Sequence, residues 1–162
     1  MNGPMGDTTS GAFEKSGRRE VLLTLGTSRG MVVLVRPIVN DILQAGRRLA
    51  QLRPELDRLD RQRHTLGWPE RARRYQVREE VASLEKCLHE ATAELNALGV
   101  ALLDSEQGRV GFPTIVNDRR AFFSWKPSEE GISHWHYAGD HTLRSIPSSW
   151  SEPKARKVRG KR

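Results

Sequence analysis

At 162 residues the chain holds enough material for one domain with a modest core and too little for two large lobes. Its 36% hydrophobic and 29% charged residues lean polar, as long and partly exposed helices do, and its longest aliphatic run, Met31 to Val35, falls far short of the roughly 20 apolar residues of a membrane span. The net charge of +7 invites a nucleic-acid reading, yet residues 152–162 alone hold +5, which leaves +2 for residues 1–151 and describes a nearly neutral body with a cationic tail.

In chain order, residues 1–20 are rich in Gly, Ser, Thr and charge, with Phe13 as their one large apolar group, and read as a disordered tail. The start lacks the basic, apolar and small-residue pattern of a secretory signal, so the expected location is the cytoplasm. Val21 to Leu25 enter the fold, and Thr24, Thr27 or Ser28 caps the helix that follows. Val35, Ile38, Ile42, Ala45, Leu49, Leu52, Leu56 and Leu59 then recur in steps of three and four, which predicts one helical seam. Pro37 and Pro54 each remove a backbone donor, so a kink or break is expected at Pro54, or a separate short helix beginning there. Gly67 and Pro69 suit a turn into a second helix, whose seam is Val77, Val81, Leu84, Leu88, Ala91, Leu95 and Leu98. Two helices of roughly 30 residues, each about 45 Å long, favour an antiparallel hairpin over residues 28–98. Cys87, the only cysteine, falls within the second helix and excludes an internal disulfide or a cysteine-held zinc.

After Leu98 the period changes. Gly99 suits a helix end, and Val100–Leu103, Arg109–Val116, Arg119–Lys126 and Ile132–Tyr137 read as three or four short antiparallel strands, with Asn117-Asp118 as a tight turn. Phe112, Phe123, Trp125 and Trp135 would pack this β-module, residues 100–147, on the helices. The expected fold is therefore α+β, a long helical hairpin followed by a small meander, in one domain over residues 21–150. A basic disordered tail covers residues 151–162.

Three strings, LVRPIVNDIL from Leu34, LNALGVALLDSEQGRVGFP from Leu95 and SWKPSEEGISHWH from Ser124, resemble in their order an uncharacterised bacterial family, domain of unknown function 2203 (DUF2203), over about residues 21–147. The resemblance implies a helical pair followed by a strand block and implies no known activity. Against the family pattern, Gly111 stands where an acid is common before Phe-Pro and Ser124 where a cysteine precedes the tryptophan. His134 replaces an aromatic before Trp-His.

Two candidate sites follow from residue chemistry. His134 and His136 lie two apart on a strand, on one face, and with Asp140 or His141 they make a divalent-metal set, zinc or iron. The plainer alternative is an edge-strand histidine, one buried hydrogen-bonded histidine and turn residues. Arg36, Trp125, Trp135 and His136 make a second set, offering a cation and flat surfaces to an anionic or aromatic ligand, against the alternative of core tryptophans covered by the stem of Arg36. The run Arg71 to Tyr75 reads more simply as a solvated helix face than as a nucleic-acid contact. No nucleophile elbow or nucleotide loop is visible. The leading expectation is a non-catalytic interaction or scaffold protein whose hairpin pairs internally or doubles into a four-helix homodimer. The alternatives are a metal-binding protein or metal-dependent enzyme at the His134/His136 strand, and weak nucleic-acid or ribosome association through residues 152–162.

Overall fold

The computed structural model describes residues 20–151, so all but Glu20 and Ser151 of the two expected tails, 1–20 and 151–162, lies outside the described residues. Two long helices, α1 (Leu25–Arg61) and α2 (Trp68–Ala97), pack as a hairpin. They are followed by β1 (Ala101–Asp104), β2 (Arg109–Val116), β3 (Arg119–Trp125), β4 (His134–Tyr137) and β5 (Arg144–Ser145), then a 3-10 turn at Ser148–Trp150. The strands form one antiparallel sheet in the order β1-β2-β3-β4-β5, a plain meander. The fold is α+β.

Helix α1 begins at Leu25, three residues before the expected position, because Thr24 is the cap: its side-chain oxygen accepts from the Thr27 amide at 3.2 Å. The buried hydroxyl of Ser28 is satisfied by donating to the Thr24 carbonyl. The expected break at Pro54 is absent, and α1 runs through both prolines. Pro37, Pro54 and the residues four before them, Val33 and Ala50, are all exposed, so each carbonyl left without a partner faces water instead of the core. The helices are also unequal, 37 and 30 residues or about 55 and 45 Å. At its end α2 closes through Gly99, φ +78°, where the Val100 amide reaches the Leu95 carbonyl and the Gly99 amide that of Asn96, with Val100 and Leu95 both buried.

The core has two parts. The larger joins Val32, Val35, Val39 and Ile42 of α1 and Ala91 and Leu95 of α2 to Val110, Phe112, Phe123, Trp125 and Trp135 on one face of the sheet. The smaller, Leu49, Leu52, Leu59, Leu66, Val77 and Val81, lies entirely between the helices and their connecting loop. The hairpin therefore extends past the sheet as a two-helix arm. Among the described residues five ion pairs cross it, Arg48–Glu80, Arg53–Glu85, Arg73–Glu55, Arg74–Asp60 and Arg78–Asp60.

Asn117 and Asp118 both take positive φ in the β2–β3 turn, as their pairing in the sequence predicts. Gly108, φ +68°, presses the β1–β2 turn onto α1, and a Cβ there would stand 2.6 Å from Val39 Cγ1. Pro113 costs no ladder bond, since it lies past the start of β1, where the Leu23 amide donates to its carbonyl at 2.7 Å. The sheet has five strands in place of the expected three or four. Its fourth begins at His134, because Ile132 is buried as an anchor of the preceding loop, and β5 is only two residues long.

Candidate functional site

Register assigns every strand residue to one of two faces. Val110, Phe112, Phe123, Trp125 and Trp135 face the helices, while Gly111, Phe122, Ser124, His134 and His136 face away. The expected ligand set is thus divided. Arg36 and Trp125 meet on the helix side: the guanidinium carbon sits 4.9 Å from the ring centroid and its Nη atoms donate to the Pro127 and Glu129 carbonyls. Trp125 is fully buried and its Nε1 donates to the same Glu129 carbonyl, so the pair holds the β3–β4 loop closed. Trp135 shares that face one strand over, packed against Tyr137 and Trp150 and under Arg144. His136 is on the opposite face of the sheet.

That far face carries a cavity of about 690 Å³ between the β1–β2 turn and the β4–β5 loop, with Phe122 and His136 at its floor and Arg109, Asp140 and His141 around it. Gly111 makes room for this floor, since a Cβ there would come within 2.8 Å of the Phe122 ring, and that ring lies 5.6 Å from His136. His136 is 9% exposed and its Nδ1 stands 3.0 Å from the Tyr137 carbonyl. A carbonyl only accepts, so Nδ1 is the donor in this contact and Nε2 is the ring nitrogen left uncommitted. Arg109 donates through Nη1 to the buried Ser124 hydroxyl at 2.8 Å.

The cavity gathers His136, Asp140 and His141 of the expected metal set and leaves His134 outside, beside the Ser133 hydroxyl. Among the described residues no three His, Cys, Asp or Glu side chains are grouped as metal ligands. Asp140 is committed elsewhere: the Thr142 amide and the Arg144 guanidinium hold its carboxyl down to about 2, and the Arg144 contact is 3.0 Å. The far face thus offers a small ligand the imidazoles of His136 and His141 and the guanidinium of Arg109.

A second surface lies at the outer end of the arm. Residues 58–78 contain seven arginines and two acids, a net +5 within a described body that is nearly neutral as a whole. Asp60 takes Arg74 and Arg78, and Glu55 takes Arg73. Arg61, Arg63 and Arg71 each donate through Nε to Asp57 O, His64 Nε2 and Leu66 O, and with Arg58 they have no carboxylate partner among the described residues. Between them stand Trp68, 79% exposed, and Tyr75, 65% exposed, seven residues apart on one face of α2, opposite the buried Val77. Of this surface the sequence alone singles out the run Arg71 to Tyr75, which reads there as a solvated helix face, and neither Trp68 nor the arginines at the end of α1. Counting charge element by element and placing Trp68 and Tyr75 on the helical wheel finds it.

A family model described as "Uncharacterized conserved protein (DUF2203)" matches residues 22–142. The chain belongs to the DUF2203 family. Within this DUF2203 chain the match takes in both helices and the first four strands and ends at Thr142, just before β5. No curated protein and no solved structure matches it. Among the described residues no helix is long and apolar enough to cross a membrane.

Proposed function

We propose that the chain is an interaction protein that meets a macromolecular partner with the outer end of its helical arm. The observation that carries this reading is the pair Trp68 and Tyr75, two large aromatic side chains left in water on the part of the hairpin without sheet cover. Both apolar seams are used on each other inside the chain, so the arm's exposed surface is free to be specific instead of sticky. Aromatic side chains flanked by arginine are the composition that dominates binding surfaces.

A photo-crosslinking residue placed at Tyr75, against the same residue at the half-exposed Ile115 on the sheet, tests the reading in cells. Adducts are expected from position 75 and not from 115. Adducts formed equally, or from 115 alone, reject it. A second copy of the chain is the partner if the adduct has twice the 18.4 kDa chain mass.

A further inference from the structure

We infer that the partner of the arm is single-stranded nucleic acid, its bases stacking on Trp68 and Tyr75 and its phosphates lying on Arg58, Arg61, Arg63 and Arg71. This rests on the proposed role of the arm and names the chemistry of its partner.

Three observations converge on it. First, charge is segregated: the arm's end holds +5, while residues 79–151 hold six basic and eleven acidic side chains, a net of −5. A phosphate chain is drawn to the first region and repelled by the second, which fixes where it lies. Second, the four arginines without carboxylate partners use Nε or nothing on their own chain, which leaves the terminal nitrogens of each guanidinium as forks for phosphate oxygens. Arg58 and Arg61 also sit in the last turn of α1, where positive charge suits the helix terminus. Arg63 and Arg71 have no such role.

Third, the aromatic pair has no packing explanation. At 79% and 65% exposure neither ring supports the core, and their seven-residue spacing places them side by side about 10 Å apart along α2. Two flat faces at that separation, with Arg71 between them in sequence, form a platform for unpaired bases. A duplex keeps its base faces covered, and the Asp and Glu side chains of an acidic peptide answer the charge without a π face for either ring. Single-stranded nucleic acid answers both the charge and the aromatic surfaces.

The experiment is a fluorescence-anisotropy titration of the full chain with an unstructured RNA of about 12 nucleotides, a length that one binding groove covers. To separate the arm from the tail, the six basic residues Lys154, Arg156, Lys157, Arg159, Lys161 and Arg162 are changed to Gln in the full chain. This variant is expected to keep binding, with log affinity falling against log salt at a slope of about −3 for four phosphate contacts. On that background, Trp68→Ala with Tyr75→Ala should weaken binding at least about tenfold, while Trp68→Phe with Tyr75→Phe retains most of it. Arg71→Ala should lower the slope by about 0.7. These side chains are exposed, and an unchanged circular-dichroism melt verifies that each variant folds.

Loss of all binding in the tail variant assigns the contact to residues 152–162 and overturns the inference. So does an alanine pair that binds as tightly as its parent, or displacement of the RNA by poly-glutamate as readily as by unlabelled RNA. A crosslink at position 75 to a nuclease-resistant partner would leave the arm's role standing and remove nucleic acid as its partner.

Discussion

The two halves of the hairpin have the same sequence pattern and different surroundings. In the base, the first half of α1 and the end of α2 lie on a sheet, and Val35, Val39, Trp125 and Phe112 lose essentially all contact with water. In the arm, the same three-four spacing closes a core only two helices thick, capped by Leu66 and laced at its edges by ion pairs. An identical periodicity thus supports one region through a third layer and the other through its partner helix alone. Two helices bury less apolar surface than a helix pair on a sheet, so the arm should open before the base.

Three measurements sharpen or break that comparison. The largest effect is expected in the base: Trp125→Ala empties a fully buried site and removes a hydrogen bond to Glu129, at a cost of about 3–5 kcal/mol of unfolding free energy, measured by denaturant titration. Leu59→Ala should cost the arm about 2–3 kcal/mol, read as faster amide exchange in the outer turns of α1 and α2 while β2 and β3 keep their protection. Equal loss of protection in the sheet would mean that arm and base unfold as one unit. The smallest effect is with acid. Arg73, Arg74 and Arg48 hold the carboxyls of Glu55, Asp60 and Glu80 below their usual range, each through a side-chain hydrogen bond. Groups with lowered folded-state values stabilise above their unfolded pKa. Arm protection is therefore expected to be full at neutral pH and to fall as pH drops below about 4.5, the ordinary carboxylate value, and on through the lowered ones. A pH-independent exchange rate in the arm, after correction for intrinsic chemistry, would show that the pairs contribute nothing.

Much of this architecture is legible in the residues. Both seams could be read because three-four spacing is a local property, and Asn117-Asp118 because the turn demands positive φ at both positions. The family resemblance was likewise carried by short strings in order. What escaped depended on contacts distant in sequence or on averaging. Leu23 pairs with Pro113 across the fold, β5 is too short to alternate, and the outward placement of Pro37 and Pro54 becomes visible only once the helix has a buried face. Grouping Trp135 with His136 overlooked a rule that was available, since neighbours in a strand point to opposite faces. The cavity around His136 required the β4–β5 loop to fold back over the sheet, and no periodicity encodes that. Of the cationic end of the arm only the run Arg71 to Tyr75 stands out in the sequence; the arginines of α1 join it across the turn, and acids elsewhere in the body cancel the total.

The division of the core also sets an order of assembly as the chain is made. Every member of the arm's core lies between Leu49 and Val81, so that part can close as soon as α2 has emerged. The first half of α1 must wait for β2 and β3, which begin more than eighty residues after Leu25, and until then Val32, Val35 and Val39 have no sheet to cover them. The nascent protein therefore displays its finished arm, Trp68 and Tyr75 included, while its base is still open.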